Sequence, residues 1–160
     1  MPNWYLVDRK GGYHLARFSK LTKTDILLMK RFGWEKEFDW SIYLTKSHPS
    51  IAYKLVDSVN NTIVGAIAFR DDQGFVYVDL MECAPNNRTN KRPYINIPDV
   101  MLGEACRRSF DIGGFGFINF KPKSNKDTYY ALKFGAQPTG RGHMGIGTLE
   151  AKKILGLYYK

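Results

Sequence analysis

The sequence predicts an α+β domain in which a mixed, mostly antiparallel sheet carries helices on both faces. Three observations predict it. The runs "IAYKLVDS" and "TIVGAIAF" are β-rich and joined by the short turn "VNN"; after "RDDQG" comes the alternating run "FVYVDLME". These make an antiparallel meander. The period then becomes helical in "PDVMLGEACRRSFDIGG", and the strand-like run "FGFINFK" follows. Strand, helix and strand in that order form a crossover that sets two strands parallel.

Each element has its own local signal. "NWYLVD" reads as a first strand. "TKTDILLMKRF" starts as a helix, with Thr24 or Asp25 near a cap and Ile26, Leu27 and Met29 following. "GWEKEFDWSIYLTK" spaces Trp34, Phe38 and Ile42 as a second helix would. In "FVYVDLME", strict alternation puts Val76, Val78, Leu80 and Glu82 on one face and Phe75, Tyr77, Asp79 and Met81 on the other. The helix after it buries Val100, Leu102, Ala105, Cys106 and Phe110, and Gly113-Gly114 stop it. "NKDTYYALKFGA" reads as a short helix ending at Gly135, "HMGIGTLE" as a last strand and "EAKKILGLYY" as an amphipathic terminal helix.

The 160 residues read as one domain, 1–160, and the 44% hydrophobic content suits a folded globular chain. No apolar run reaches membrane-spanning length, and "MPNWYLVDRKGG" has no secretory core, so the expectation is a cytoplasmic protein. Cys83 and Cys106 lack the spacing of a zinc site or a disulfide framework. With His14, His48 and His143 scattered, no metal is expected. The net charge of +9 comes largely from "DRKGGYHLARFSKLTK", "NNRTNKRP" and "FKPKSNK", all loop-like in composition. It favours anionic partners, either nucleic acid or a phosphorylated cosubstrate.

The order of "AYKLVDSVNNTIVGAI", "DLMECAPNN", "YINIPDVMLGEACRRSF", "TYYALKFGA" and "TLEAKKIL" resembles the GCN5-related N-acetyltransferase (GNAT) superfamily, from about Trp34 to Tyr158. The resemblance implies an acetyl-CoA-binding fold and leaves the acceptor open. It implies that Tyr130, with Tyr129 as its competitor, acts as the acid that protonates the leaving thiolate, and that Glu82 acts as a base toward an acceptor amine. Glu82 also reads simply as a strand-end carboxylate. Met81 and Cys83 would flank the cosubstrate, and Asn125 would either contact its pantetheine or phosphate arm or cap the helix it opens.

In the superfamily, a glycine-rich loop cradles the CoA pyrophosphate at a helix N-terminus. Here that loop is "KRPYINIPD", with no glycine. Lys91, Arg92, Tyr94, Ile95, Asn96, Ile97 and Asp99 are the candidate contacts. Asn96 tolerates the left-handed conformation a glycine would supply, but Pro98 has no N–H and Asp99 brings a negative charge. The same residues also make an ordinary helix start. The expected function is transfer of an acetyl group from acetyl-CoA to an amine by direct attack. The alternative is a non-catalytic GNAT-fold protein contacting an anionic partner such as nucleic acid.

Overall fold

The computed structural model describes residues 2–160. Eight strands form one sheet: β1 (Trp4–Val7), β2 (Tyr13–Lys20), β3 (Ile51–Asp57), β4 (Thr62–Asp72), β5 (Phe75–Cys83), β6 (Ile118–Phe120), β7 (Gln137–Gly140) and β8 (His143–Ile146). Their order across the sheet is β1-β2-β3-β4-β5-β6-β8-β7. Every pairing is antiparallel except β5 with β6, which is parallel. The helices are α1 (Lys23–Arg31), α2 (Ile97–Asp111), α3 (Asp127–Phe134) and α4 (Thr148–Tyr158). None is long and apolar enough to cross a membrane.

Two cores lie on opposite faces of the sheet, as the sequence predicts. On one, Ile67, Val76, Val78 and Ile118 pack against Val100, Met101 and Ala105 of α2 and Ala151 and Ile154 of α4. On the other, Ala52, Ala66 and Ala68 pack against Ile26 and Met29 of α1 with Trp34 and Trp40. The alanines let that second layer approach closely, and two tryptophans fill the space they leave.

The local signals hold with four corrections. Helix α1 is capped by Thr22, two residues before the expected cap, and Asp25 closes a capping box from the third helical position. The expected second helix is a turn and a short 3-10 segment, Trp40–Leu44. Gly33 at φ +84° ends α1, and Trp34 and Trp40 are buried by loop geometry rather than a continuous helix. The basic segment around Tyr13 is strand β2, whose only fully buried side chain is Ala16; its exposed, charged faces hide it from pattern reading. The last strand stops at Ile146, with α4 beginning at Thr148, and it pairs with the unforeseen β7.

A β-bulge overturns the simple alternation in β5. Ala68 pairs with Leu80 and Phe69 with Val78, so Asp79 is an extra residue opposite β4. Before the bulge, Val76 and Val78 face α2; after it, Leu80 faces α1 while Met81 and Cys83 face α2. Glu82 therefore does not share the face of Val76 and Val78.

Candidate active site

Parallel pairing of β5 with β6 covers only Val76–Val78 against Ile118–Phe120. Beyond the bulge the two strands part, and a cleft of about 740 Å³ opens between them. Met81, Cys83 and Phe120 line its strand walls, with Tyr129 and Tyr130 of α3 alongside. One lip, on the α2 face, carries Arg92, Ile95, Pro98 and Lys133. The other, on the α1 face, carries Glu35 and Phe38 beside Lys121 and Lys123 of the β6–α3 loop. The cleft thus connects the two faces of the sheet.

Glu82 sits where this passage meets the α1 layer, 5% exposed. Its Oε1 accepts from Trp40 Nε1 at 2.8 Å and its Oε2 from the Glu35 amide at 2.8 Å. Arg88 adds an ion pair to Oε2. All three partners lie on segments that form the cleft wall, so this carboxylate is committed to holding the 35–40 loop and the 85–88 turn against the end of β5.

Tyr130 is half-buried between Phe120 and Phe134, at 4.9 and 5.9 Å between ring centroids. Burial pushes its hydroxyl up to about 12, with Tyr129 and Cys83 adding to the shift. Tyr129 also lines the cleft but is more exposed, and its hydroxyl accepts from Lys133 Nζ at 3.3 Å. Burial holds the Cys83 thiol up at about 11, and the Cys106 thiol, inside the α2 core, at about 12. Neither is a thiolate at neutral pH, so a covalent cysteine relay has no nucleophile here.

The 91–99 loop departs most from expectation. Asn96 is not left-handed: its φ is −126°. Its buried side chain accepts from the Val7 amide at 2.8 Å and donates to the Tyr5 carbonyl at 3.1 Å, fastening the loop to β1. Ile97 is wholly inside the core. Tyr94 points away from the cleft; its hydroxyl donates to Asp57, and burial together with that bond raises its pKa. Its amide is taken by Asn87 Oδ1 at 3.1 Å, and the Ile95 amide by the Val7 carbonyl at 2.9 Å. With Pro98 lacking an N–H, the stretch has at most the Asn96, Ile97 and Asp99 amides left for a ligand. Asp99 lies in the first turn of α2 and pairs with Lys133 at 3.3 Å. Burial alone would lower the Lys133 pKa, but Asp99 and the Tyr129 hydroxyl reverse this and the net shift is upward.

Of the other expected contacts, Arg92 and Ile95 reach the cleft while Lys91 and Asn125 do not. Asn125 is exposed at φ +69°, and Lys126 rather than Asn125 is the N-cap of α3. Sequence reasoning missed Phe38, Arg88, Lys121, Lys123, Lys126 and Lys133. Two of these stretches, "NNRTNKRP" and "FKPKSNK", carry the signal in their charge, and the cleft lies between them.

No family model matches the chain, and no curated protein sequence matches it. Solved structures do. The ribosomal-protein-S18-alanine N-acetyltransferase from Escherichia coli matches at TM-score 0.55 and 12% identity, over 82% of this chain and 92% of that one. The PaiA N-acetyltransferase from Thermoplasma acidophilum, in complex with coenzyme A, matches at 0.54 and 12%, over 82% and 98%. AtaT, complexed with acetyl-methionyl-tRNAfMet, matches at 0.59 and 10%, over 88% and 99%. The chain has the fold of the GCN5-related N-acetyltransferases.

Proposed function

We propose that this protein is an acetyl-CoA-dependent N-acetyltransferase that moves the acetyl group to an amine by direct attack. The observation that carries the reading is the cleft through the sheet at the parted β5 and β6, with the Tyr130 side chain on its wall. Beyond Val78 the edge of β5 has lost its β6 partner. Its free backbone groups suit the amides of a pantetheine arm lying along it as a strand would. The phosphates of the cosubstrate fit the α2 lip, where Arg92 and Lys126 make no ion pair among the described residues and the remaining loop amides point from a helix start. The acceptor then enters from the α1 face, past Glu35 and Phe38.

The chemistry follows from this placement. A neutral amine attacks the thioester carbonyl, its nitrogen loses a proton to water, the tetrahedral intermediate collapses, and the electron pair of the C–S bond goes to sulfur. Tyr130 stays protonated at any working pH. With a pKa of about 12, it is a weaker acid than a thiol of about 8.5. It therefore stabilises the leaving thiolate by donating a hydrogen bond, and the proton itself comes from water. Glu82, held by three partners, acts by fixing the acceptor wall. One solved structure named above is a ribosomal-protein-S18-alanine N-acetyltransferase and another is complexed with acetyl-methionyl-tRNAfMet, so amines on peptides and on RNA both belong in the acceptor panel.

Calorimetric titration with acetyl-CoA, followed by thiol release across that panel, tests the reading. Tyr130→Phe is expected to keep acetyl-CoA affinity and to lower turnover roughly 100-fold. Absence of both binding heat and a thermal shift at millimolar acetyl-CoA overturns it.

A further inference from the structure

At the acceptor lip the Lys123 ammonium lies 3.5 Å from the centroid of the Phe38 ring. Phe38 belongs to the loop that Glu82 pins through the Glu35 amide and the Trp40 indole. Lys123 comes from the opposite side of the opening, in the loop after β6. Both line the same cleft as Tyr130 and Met81. Among the described residues no carboxylate pairs with the Lys123 ammonium, which rests on the aromatic face. An aromatic face that accepts a primary ammonium is what an amine acceptor needs on its way to a thioester. In this structure the protein's own lysine fills that place.

We infer that Lys123 is an internal acceptor, acetylated by the chain's own active site. The inference rests on the acetyltransferase reading above. Lys123 Nζ leaves the Phe38 ring, gives a proton to water and attacks the thioester carbonyl. A C–N bond forms, the nitrogen loses its second proton to water, the C–S bond breaks, and its electron pair goes to the sulfur. The thiolate, hydrogen-bonded by Tyr130, takes a proton from water. The products are N-acetyl-Lys123 and free CoA thiol, with one proton released to solvent overall. Tethering supplies the local concentration that a free amine lacks. The Phe38 face favours the charged amine, so the reaction is slow and stops at one acetyl group per chain. Neutralising Lys123 ends its hold on Phe38 and frees that face for an external ammonium.

The test incubates the full chain with acetyl-CoA alone and follows intact mass, then maps the modified peptide. The expected result is the mass of a single acetyl group on Lys123. Labelling should slow at least tenfold in Tyr130→Phe and vanish from this position in Lys123→Arg, which keeps the cation but offers no acylatable amine. Acetyl-CoA binding is measured by calorimetry on the same samples. Binding with no acetyl on Lys123, or with acetyl spread over many lysines at the same rate in Tyr130→Phe, overturns the inference and leaves the enzyme reading standing. No binding at all overturns both.

Discussion

Replacing Glu82 separates two roles that a buried carboxylate at the end of β5 can play. Glu82→Ala leaves the Trp40 indole N–H and the Glu35 amide without acceptors, at roughly 1–3 kcal/mol each. Arg88 is 38% exposed on its side chain and turns to water, so its share is about 0–1 kcal/mol. The sum is about 2–7 kcal/mol, or roughly 5–30 °C in Tm for a chain of this size. Glu82→Gln keeps the shape and one acceptor oxygen but sets its NH2 against the other donor, and costs about 1–3 kcal/mol. Urea unfolding with an unchanged slope reads this loss as a lower midpoint. If Glu82 positions the acceptor wall, both variants lose stability, acceptor KM rises, and alkaline buffer restores neither. If Glu82 is instead a general base, Glu82→Gln still loses that stability, because the same hydrogen bonds are disturbed. It then loses turnover that high pH restores, because the acceptor amine deprotonates without help. That second pattern refutes the positioning argument.

Two further outcomes follow from the α2 lip and its flank. If the phosphates sit at the α2 lip as proposed, Asp99→Asn removes a carboxylate from that helix start and frees Lys133 to meet them; acetyl-CoA affinity measured by calorimetry is expected to rise about tenfold, and unchanged or weaker binding refutes that placement of the phosphates. Tyr94→Phe removes the hydroxyl that donates to Asp57. Burial alone would raise the Asp57 pKa, but this bond and the Val59 and Asn60 amides leave it below its ordinary value. A depressed carboxylate contributes stability above its unfolded pKa of about 3.9 and loses it as pH falls through the folded value. Denaturant titrations should therefore show Tyr94→Phe about 1–2 kcal/mol less stable at neutral pH, with a shallower decline below about pH 4.

Elements whose burial follows one period were legible. The strands β3 and β4, the parallel crossover through α2, and the Gly135 stop of α3, left-handed at φ +65°, all announce themselves locally. The elements that were not legible are those where tertiary partners set the conformation. Strand β2 is paired on both sides yet buries only Ala16, so its sequence shows no hydrophobic alternation. The Trp34–Trp40 stretch carries helical spacing, but Gly33 and the pull of Glu82 on Glu35 and Trp40 hold it as a loop. Of the residues that line the cleft, the sequence singled out Tyr130 and not Lys123, because Phe38 and Lys123 are far apart in the chain and meet only once it is folded.

The bulge at Asp79 and the glycine-free loop are two halves of one arrangement. By adding a residue to β5, the bulge turns Met81 and Cys83 toward α2 and Glu82 toward α1, just where β6 parts from the strand. A single strand end then sends side chains to both faces of the sheet at the cleft. The loop beyond it spends its polar groups on the fold: Asn96 fastens β1, Tyr94 fastens β3, and Asn87 takes an amide that a phosphate would otherwise use. On the proposed placement, what remains for phosphate is mainly side-chain charge, from Arg92 and Lys126, because Lys133 is paired with Asp99. Charges at a solvent-open lip are screened by salt far more than amides aimed from a helix start. On the proposed placement of the phosphates, an electrostatic cradle replaces a backbone one, and binding of an anionic cosubstrate is expected to weaken as ionic strength rises.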